Sequence, residues 1–458
     1  MMMDNVAKSR STAQDADLVE NAWLDELTPP STTRERLLDA AEELVARFGF
    51  DAPSVRDIAA AANVRLAAIS ETFGGLDNLT SAIVERRSPT LAKARLEQLA
   101  DAQADGPASL EAVVAAFIKP LFARMEVSEK WRHFAQVSAQ LGSSAQWDKR
   151  LGHFLEIEAP AFLAAMRNAE PDLSQEQAAW CFAFLMGAVA SATSATGWVS
   201  QLSDGMVEEN DLEGMQSELL VYVPAAIRAV AQAVDQVRIG TPLPNPPAST
   251  KTRDRILDVA ERLFAAHGFY GVSMRKIASA AGISVGLFHY HFKTKEGVFL
   301  AMCLRRHPAL NEQRWEILEI AREMPQSRER LATVIHAHLC TPASHTKRGG
   351  RGWSNYFRAM TTAIPSHGVY WLSTLRVIAD DIMHAIVAET VSAVPNLSRR
   401  RAYLAYLFAN GLVAFCYSGS ARIERLSQGA LKANDYPSMC EQVLRFHVGG
   451  VIGIAAVR

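Results

Sequence analysis

Residues 273–299 read SMRKIASAAGISVGLFHYHFKTKEGVF, and the spacing of their capping, small and apolar residues decides the fold. Ser273 is placed to cap a short helix over 274–281, with Met274, Ile277, Ala278 and Ala281 on its inward face. Gly282 makes the turn, and Ser284 caps a second short helix over VGLFHYHF, with Leu287 and Phe292 expected to anchor it. Two short helices joined by a glycine turn form a helix-turn-helix. Helices this short are not stable alone, so they need a third element to pack on. The preceding RDRILDVAERLFAAHGF, residues 253–269, supplies it: Ile256, Leu257, Ala260, Leu263 and Phe264 fall on one helical face. Thr252 or Ser249 is the expected cap of that helix and Gly268 its end.

The surface of residues 284–295 suits insertion into a major groove. Ser284 and Val285 stand at the helix N-terminus, where side chains reach base edges. Gly286 leaves room for close backbone approach, while His289, Tyr290, His291, Lys293 and Lys295 offer donors to phosphates or bases. Ser273, Arg275 and Lys276 flank this helix, and Lys251 and Arg253 precede the head as candidate contacts to the DNA backbone or minor groove.

The same pattern occurs earlier in the chain. Residues 34–50 read RERLLDAAEELVARFGF, and the register holds without a gap from 32–87 to 251–306. A weaker match continues, at a slightly larger offset, through Leu173-Ser174 and Leu397-Ser398 to Gly187 and Gly411. The chain therefore reads as two fused copies. A polar tail over 1–30, expected to be disordered, precedes them. Between them lies GTPLPNPPAST, 240–250, whose four prolines favour a stiff extended linker. The expected divisions are heads over 31–87 and 251–306, and helical regulatory domains over 88–239 and 307–458.

The run from Ser273 to Phe299 resembles the signature of the TetR/AcrR family of bacterial repressors: a helix-turn-helix, a short recognition helix, an aromatic-rich stretch ending in Phe292, then Lys293-Thr294-Lys295-Glu296 opening a fourth helix. The resemblance implies an all-α fold, a helical regulatory domain behind each head, and repression relieved by a small ligand. That family works as a homodimer with one head per protomer, so a chain with two heads looks like a covalent pseudo-dimer. A dimer of whole chains is the alternative.

The first head departs from the pattern. It keeps Leu37, Leu38, Ala41, Leu44, Gly49, Ile58, Ala59, Ala62 and Phe73, but Ser70-Glu71-Thr72 stand where the second head has His289-Tyr290-His291. Asp57 replaces Lys276, and Gly74 and Leu76 replace Lys293 and Lys295. Residues 251–306 carry ten Lys/Arg against four Asp/Glu, whereas residues 32–87 carry seven against nine. Phosphate neutralisation supplies most non-specific DNA affinity, so the second head is expected to dominate. Arg56 and Arg65 survive in the first head as possible contacts.

Residues 88–239 and 307–458 are apolar and helix-patterned, each with an early tryptophan and a last helix near 211–236 or 437–455. The small-residue stretches GAVASATSA and NGLVAFCYSG suit close helix approach. Candidate cavity residues are Trp353, Tyr356, Phe357, Tyr370, Trp371, Phe408 and Tyr417 in the second half, and Phe117, Trp131, Phe134 and Trp180 in the first. Each also reads as an ordinary core aromatic, and together they point to a hydrophobic or aromatic effector.

Other chemistry is not supported. His289 and His291 are two apart on a helix and point away from each other, so no metal site is expected. The carboxylate pairs Glu42-Glu43 and Glu208-Glu209 read as solvated faces. No phosphate loop, nucleophile elbow or nucleophile–base set is present, so no enzyme activity and no cofactor are expected. The five scattered cysteines fit a reducing compartment, and the absence of a long apolar run or signal-like start leaves a cytoplasmic protein as the expectation, without membrane partners. The competing reading is a ligand-binding or enzymatic protein on a decayed regulator scaffold.

Overall fold

Side-chain hydrogen bonds cap the first two described helices of the chain. In the first copy Thr32 and Glu35 form a reciprocal capping box for α1 (Thr33–Phe48), and Ser54 with Asp57 does the same for α2 (Val55–Ala61), which leads to α3 (Ala67–Phe73). Helix α4 (Leu76–Ala102) joins this head to a body of α5 (Leu110–Val127), α6 (Glu129–Ser143), α7 (Ala145–Leu151), α8 (Ala159–Ala169), α9 (Gln175–Thr193), α10 (Trp198–Leu202) and α11 (Leu212–Ala231). The second head contains α12 (Thr252–His267), α13 (Met274–Ala280) and α14 (Val285–His291). Its body contains α15 (Lys295–Arg322), α16 (Arg328–Leu339), α17 (Thr341–Gly349), α18 (Arg351–Ala363), α19 (Val369–Ala393), α20 (Arg399–Tyr417), α21 (Arg422–Leu426) and α22 (Tyr436–Ala456).

This computed structural model describes residues 32–50, 53–232, 252–269, 271–349, 351–363 and 369–457. Among them there is no strand, and no helix is long and apolar enough to cross a membrane. The expected tail over 1–30, the linker over 240–250, Ser249 and Lys251 lie outside the described residues.

Each head is tied to its body by the same buried ion cluster. In the first unit Glu42 on α1, only 1% exposed, accepts hydrogen bonds from Arg86 and Arg87 on α4; in the second, Glu261 on α12, equally buried, accepts from Arg305 and Arg306 on α15. Arg87 then lies over the Trp131 ring on α6, and Arg306 over Trp353 on α18. This corrects the solvated-face reading of Glu42. It sits on the side of α1 that meets two adjacent guanidinium groups, while Glu43 beside it is exposed and pairs with Arg47. Glu209 is also buried, because its carboxylate accepts the Gly197, Val199 and Ser200 N–H groups that open α10.

The two bodies meet along α9 against α20 and α11 against α22. A Cβ on Gly411 would lie 1.9 Å from the Gly187 carbonyl oxygen, and one on Gly187 would lie 2.9 Å from that of Gly411. The two glycines that hold equivalent places in the repeat thus touch each other, and only glycine allows the α9–α20 crossing. On the second pair, a Cβ on Gly449, Gly450 or Gly453 would meet Ala229, Tyr222 or Ala225 at 2.2–2.3 Å. The Tyr222 hydroxyl and His447 Nδ1 share a buried hydrogen bond of 2.5 Å across this seam. Ion pairs add to it: Arg400 with Asp211, Arg401 with Glu218, and Arg422 and Arg425 with Asp148 and Glu156.

Candidate nucleic-acid interface and effector cavity

In the second head the Ser284 hydroxyl accepts the Leu287 N–H at 3.1 Å, fixing the start of α14. Phe288, fully buried, and Phe292 hold the helix on the core. Leu287, expected as an anchor, is 40% exposed. With the cap at Ser284, the i, i+4 pair Phe288 and Phe292 takes the inward face, and Leu287 is turned outward by about 100°. The outer face then presents Val285, Gly286, Leu287, His289 and Tyr290, with Tyr290 83% exposed and His291 half-buried beside it. Ser273 caps α13 through the Lys276 N–H, which leaves Arg275 and Lys276 exposed on the same head. Lys293 is exposed at the end of α14. Arg253 is exposed and lies over the Phe292 ring at 5.1 Å. Lys295 is different: its Nζ donates to the Phe269 carbonyl at 3.0 Å, and burial lowers its pKa. It clamps the loop after α12.

The first head keeps the frame and lacks most of the cations. Arg34 lies over Phe73 at 4.7 Å, as Arg253 does over Phe292. Asp57 accepts from both the N–H and the hydroxyl of Ser54, so the position of Lys276 carries a capping carboxylate. Arg65 pairs with Glu71 at 3.0 Å, and Glu71 stands where the second head has Tyr290. Arg56 is exposed.

A cavity of about 170 Å³ lies where the second body meets the first. Of the aromatic residues singled out from sequence, Tyr356 and Phe357 line it. Trp353 instead lies under Arg306, Phe408 packs on Tyr222 at the seam, and the Tyr417 hydroxyl donates to the Leu339 carbonyl. Phe117 packs edge-on to Phe162 and Phe182, Trp131 edge-on to Phe134, and Trp180 stacks on Phe184. The side chains of Tyr370 and Trp371 lie outside the described residues.

Sequence reasoning missed the polar part of the wall: His307 and Arg314 on α15, His338 on α16 and Trp198 on α10. A signal was present. Arg314 follows Leu310 by four residues and precedes Ile317 by three, which puts a cation on the buried face of α15. Burial lowers the Arg314 pKa against the opposing pull of three tyrosines. Burial and Arg314 push His307 down to about 3, and burial, with Arg314 and His447 nearby, pushes His338 well below the usual histidine range. Both imidazoles are therefore neutral near pH 7.

The model of the bacterial regulatory proteins of the tetR family matches residues 37–83 and again 256–302, and that of the tetracyclin repressor-like C-terminal domain matches 115–226 and 336–450. The chain belongs to the TetR family. It holds two tandem TetR units, each a helix-turn-helix head with a helical C-terminal domain. Similar proteins include the HTH-type transcriptional repressor AcnR of Corynebacterium diphtheriae, 29% identical over 136 residues, or 29% of this chain and 63% of that protein. AcnR of Corynebacterium glutamicum is 36% identical over 83 residues, 18% of this chain and 44% of that protein. The uncharacterized HTH-type transcriptional regulator YerO of Bacillus subtilis is 45% identical over 51 residues, 11% of this chain and 18% of that protein. The chain thus covers less than two thirds of the length of each.

Proposed function

We propose that this chain is a DNA-binding transcriptional regulator, a repressor, that closes on itself as an intramolecular pseudo-dimer and relies on its C-terminal head for most of its DNA affinity. The carrying observation is the contrast between matched heads. Tyr290, Arg275 and Lys276 stand exposed on the second, where the first has Glu71, a retained arginine and the capping carboxylate Asp57. Relatives named as transcriptional repressors favour repression. An enzyme on a decayed scaffold would lose cations from both heads, and the second head retains them. The functional division follows the repeat, heads over 31–87 and 251–306 and bodies over 88–239 and 307–458, in a protein working in the cytoplasm.

The cavity is the proposed site of a small, largely apolar effector. Helix α15 carries His307 and Arg314 into the cavity wall, and immediately before His307 it carries Arg305 and Arg306, which hold Glu261 on the first helix of the DNA-reading head. A ligand that shifts α15 therefore shifts the head. If it favours a head placement unlike that on the operator, DNA affinity falls, and DNA lowers effector affinity by the same factor. Selection of bound sequences from a random DNA pool tests the asymmetry. An asymmetric or half-site motif is the expected result, and a strong palindrome with one-turn spacing from a single chain speaks against it.

A further inference from the structure

Arg314 is 5% exposed, and among the described residues no carboxylate pairs with it. Its Nη1 donates to the Asn311 side-chain oxygen at 3.3 Å, and its Nε has no partner among the described residues. A buried guanidinium without a counter-charge is costly. Beside it in the cavity wall, both ring nitrogens of His338 and Nδ1 of His307 also lack hydrogen-bond partners among the described residues. Three buried polar groups on two helices thus line one cavity with part of their hydrogen-bonding capacity unused, while Leu310, Phe357 and Met383 supply apolar wall.

The repeat shows what is missing. Helices α4 and α15 hold the same register, each with an internal proline, Pro89 and Pro308, and Arg95 is the counterpart of Arg314. Arg95 is buried too, but its Nη1 donates to Glu158 at 2.5 Å, its Nε donates to the Phe117 carbonyl at 2.9 Å, and it lies over the Phe117 ring at 3.6 Å. The first unit carries its carboxylate within the chain.

We infer that the second unit takes the equivalent carboxylate from solution: the cavity binds one organic monocarboxylate per chain, with its acid group on Arg314 and the neighbouring histidines and its apolar body in the rest of the space. A guanidinium recognises a carboxylate through two parallel N–H donors. Cavities of about 150 Å³ admit a benzene-sized group, which sets the size of the body. The inference rests on the reading of this cavity as the effector site.

Calorimetric titration and thermal melts of the full chain with benzoate, phenylacetate and hexanoate, against the matching amides, test it. The expected result is saturable stabilisation by at least one acid at one molecule per chain, with its amide at least tenfold weaker. Arg314→Met is expected to weaken acid binding at least tenfold, to remove the preference over the amide, and to melt no lower than the parent without ligand. Amides binding as tightly as acids, two acids per chain, an equal shift from chloride or sulfate, or no saturable shift from any of the acids would overturn the inference. The acid–amide comparison needs no variant, so it stands even where Arg314→Met fails to fold. An acid that binds as expected but leaves operator affinity unchanged sinks the effector reading and leaves the ligand inference intact.

Discussion

Tyr290 and Glu71 occupy the same register of two matching helices, and that single difference shows how the heads diverged. An exposed phenol above a phosphate backbone is a donor, and a carboxylate there repels DNA and neutralises Arg65 beside it. Lys276→Ala is expected to weaken DNA binding almost uniformly across sequences and to reduce the salt slope of log affinity by about 1. Fluorescence anisotropy over a salt series measures it, and an unchanged slope argues against a phosphate contact. Lys295 and Glu261 belong to a different class, holding the head together. Glu261→Gln removes the buried carboxylate that the half-buried Arg305 and Arg306 share, Asp258 remaining as a partner of Arg305, and should cost up to about 3–5 kcal/mol. Urea denaturation reads that cost, and a loss typical of an exposed ion pair would contradict the buried-cluster account. The basic, exposed positions were legible in the sequence because charge and register are local. The burial of Glu42 and Glu209 was not, because each is decided by partners on a different helix, and the spacing that put Arg314 on a buried face did not disclose the cavity beside it.

At the scale of elements, the caps at Ser273 and Ser284 formed where the sequence put them. A serine followed by an apolar period is a local instruction, so these helix starts could be read directly. Rotation of a one-to-two-turn helix is not local, and the apolar pattern alone does not distinguish Leu287, which faces outward, from Phe288, which is buried. The small-residue stretches announced close helix packing, and the structure supplied the pair, Gly187 against Gly411; Gly449 and Gly453 against Ala229 and Ala225 make a second close approach outside those stretches. Gly411→Val pushes a side chain into the Gly187 backbone, and overpacking of this kind costs about 1–3 kcal/mol or more. Gly205, with no atom within 4 Å of an added Cβ but a positive φ, offers a control where only local strain acts. If Gly411→Val lowers the denaturation midpoint no more than Gly205→Ala, the close crossing is not present in solution.

At the scale of the whole molecule, buried histidines make stability depend on pH. Burial pushes His307 and His447 down to about 3 and His336 down to about 4, and His338 lies well below its usual range. The unfolded chain takes up these protons near pH 6.5, while the native chain does not until much lower pH. Stability is therefore full above about pH 6.5 and falls as the pH drops toward the native values, by up to roughly 1.4 kcal/mol per histidine per pH unit. Melting temperatures from pH 7.5 to 5 should decline progressively across that window, and a flat profile would contradict the burial of these groups. Helices α9 and α20, and α11 and α22, pack on each other within one chain, so under the proposed intramolecular pseudo-dimer light scattering at micromolar concentration is expected to give the mass of one chain, 50.1 kDa.

The central claim, one chain with two TetR units of which the second reads DNA, is tested most directly by operator affinity in two variants. One neutralises Lys276 and Lys293, and the other neutralises Arg56 and Arg65; Lys295 is spared because it clamps Phe269. On a sequence selected by the parent chain, the first variant should lose about tenfold or more in affinity and the second much less. Equal losses, or a larger loss from Arg56 and Arg65, would contradict the account.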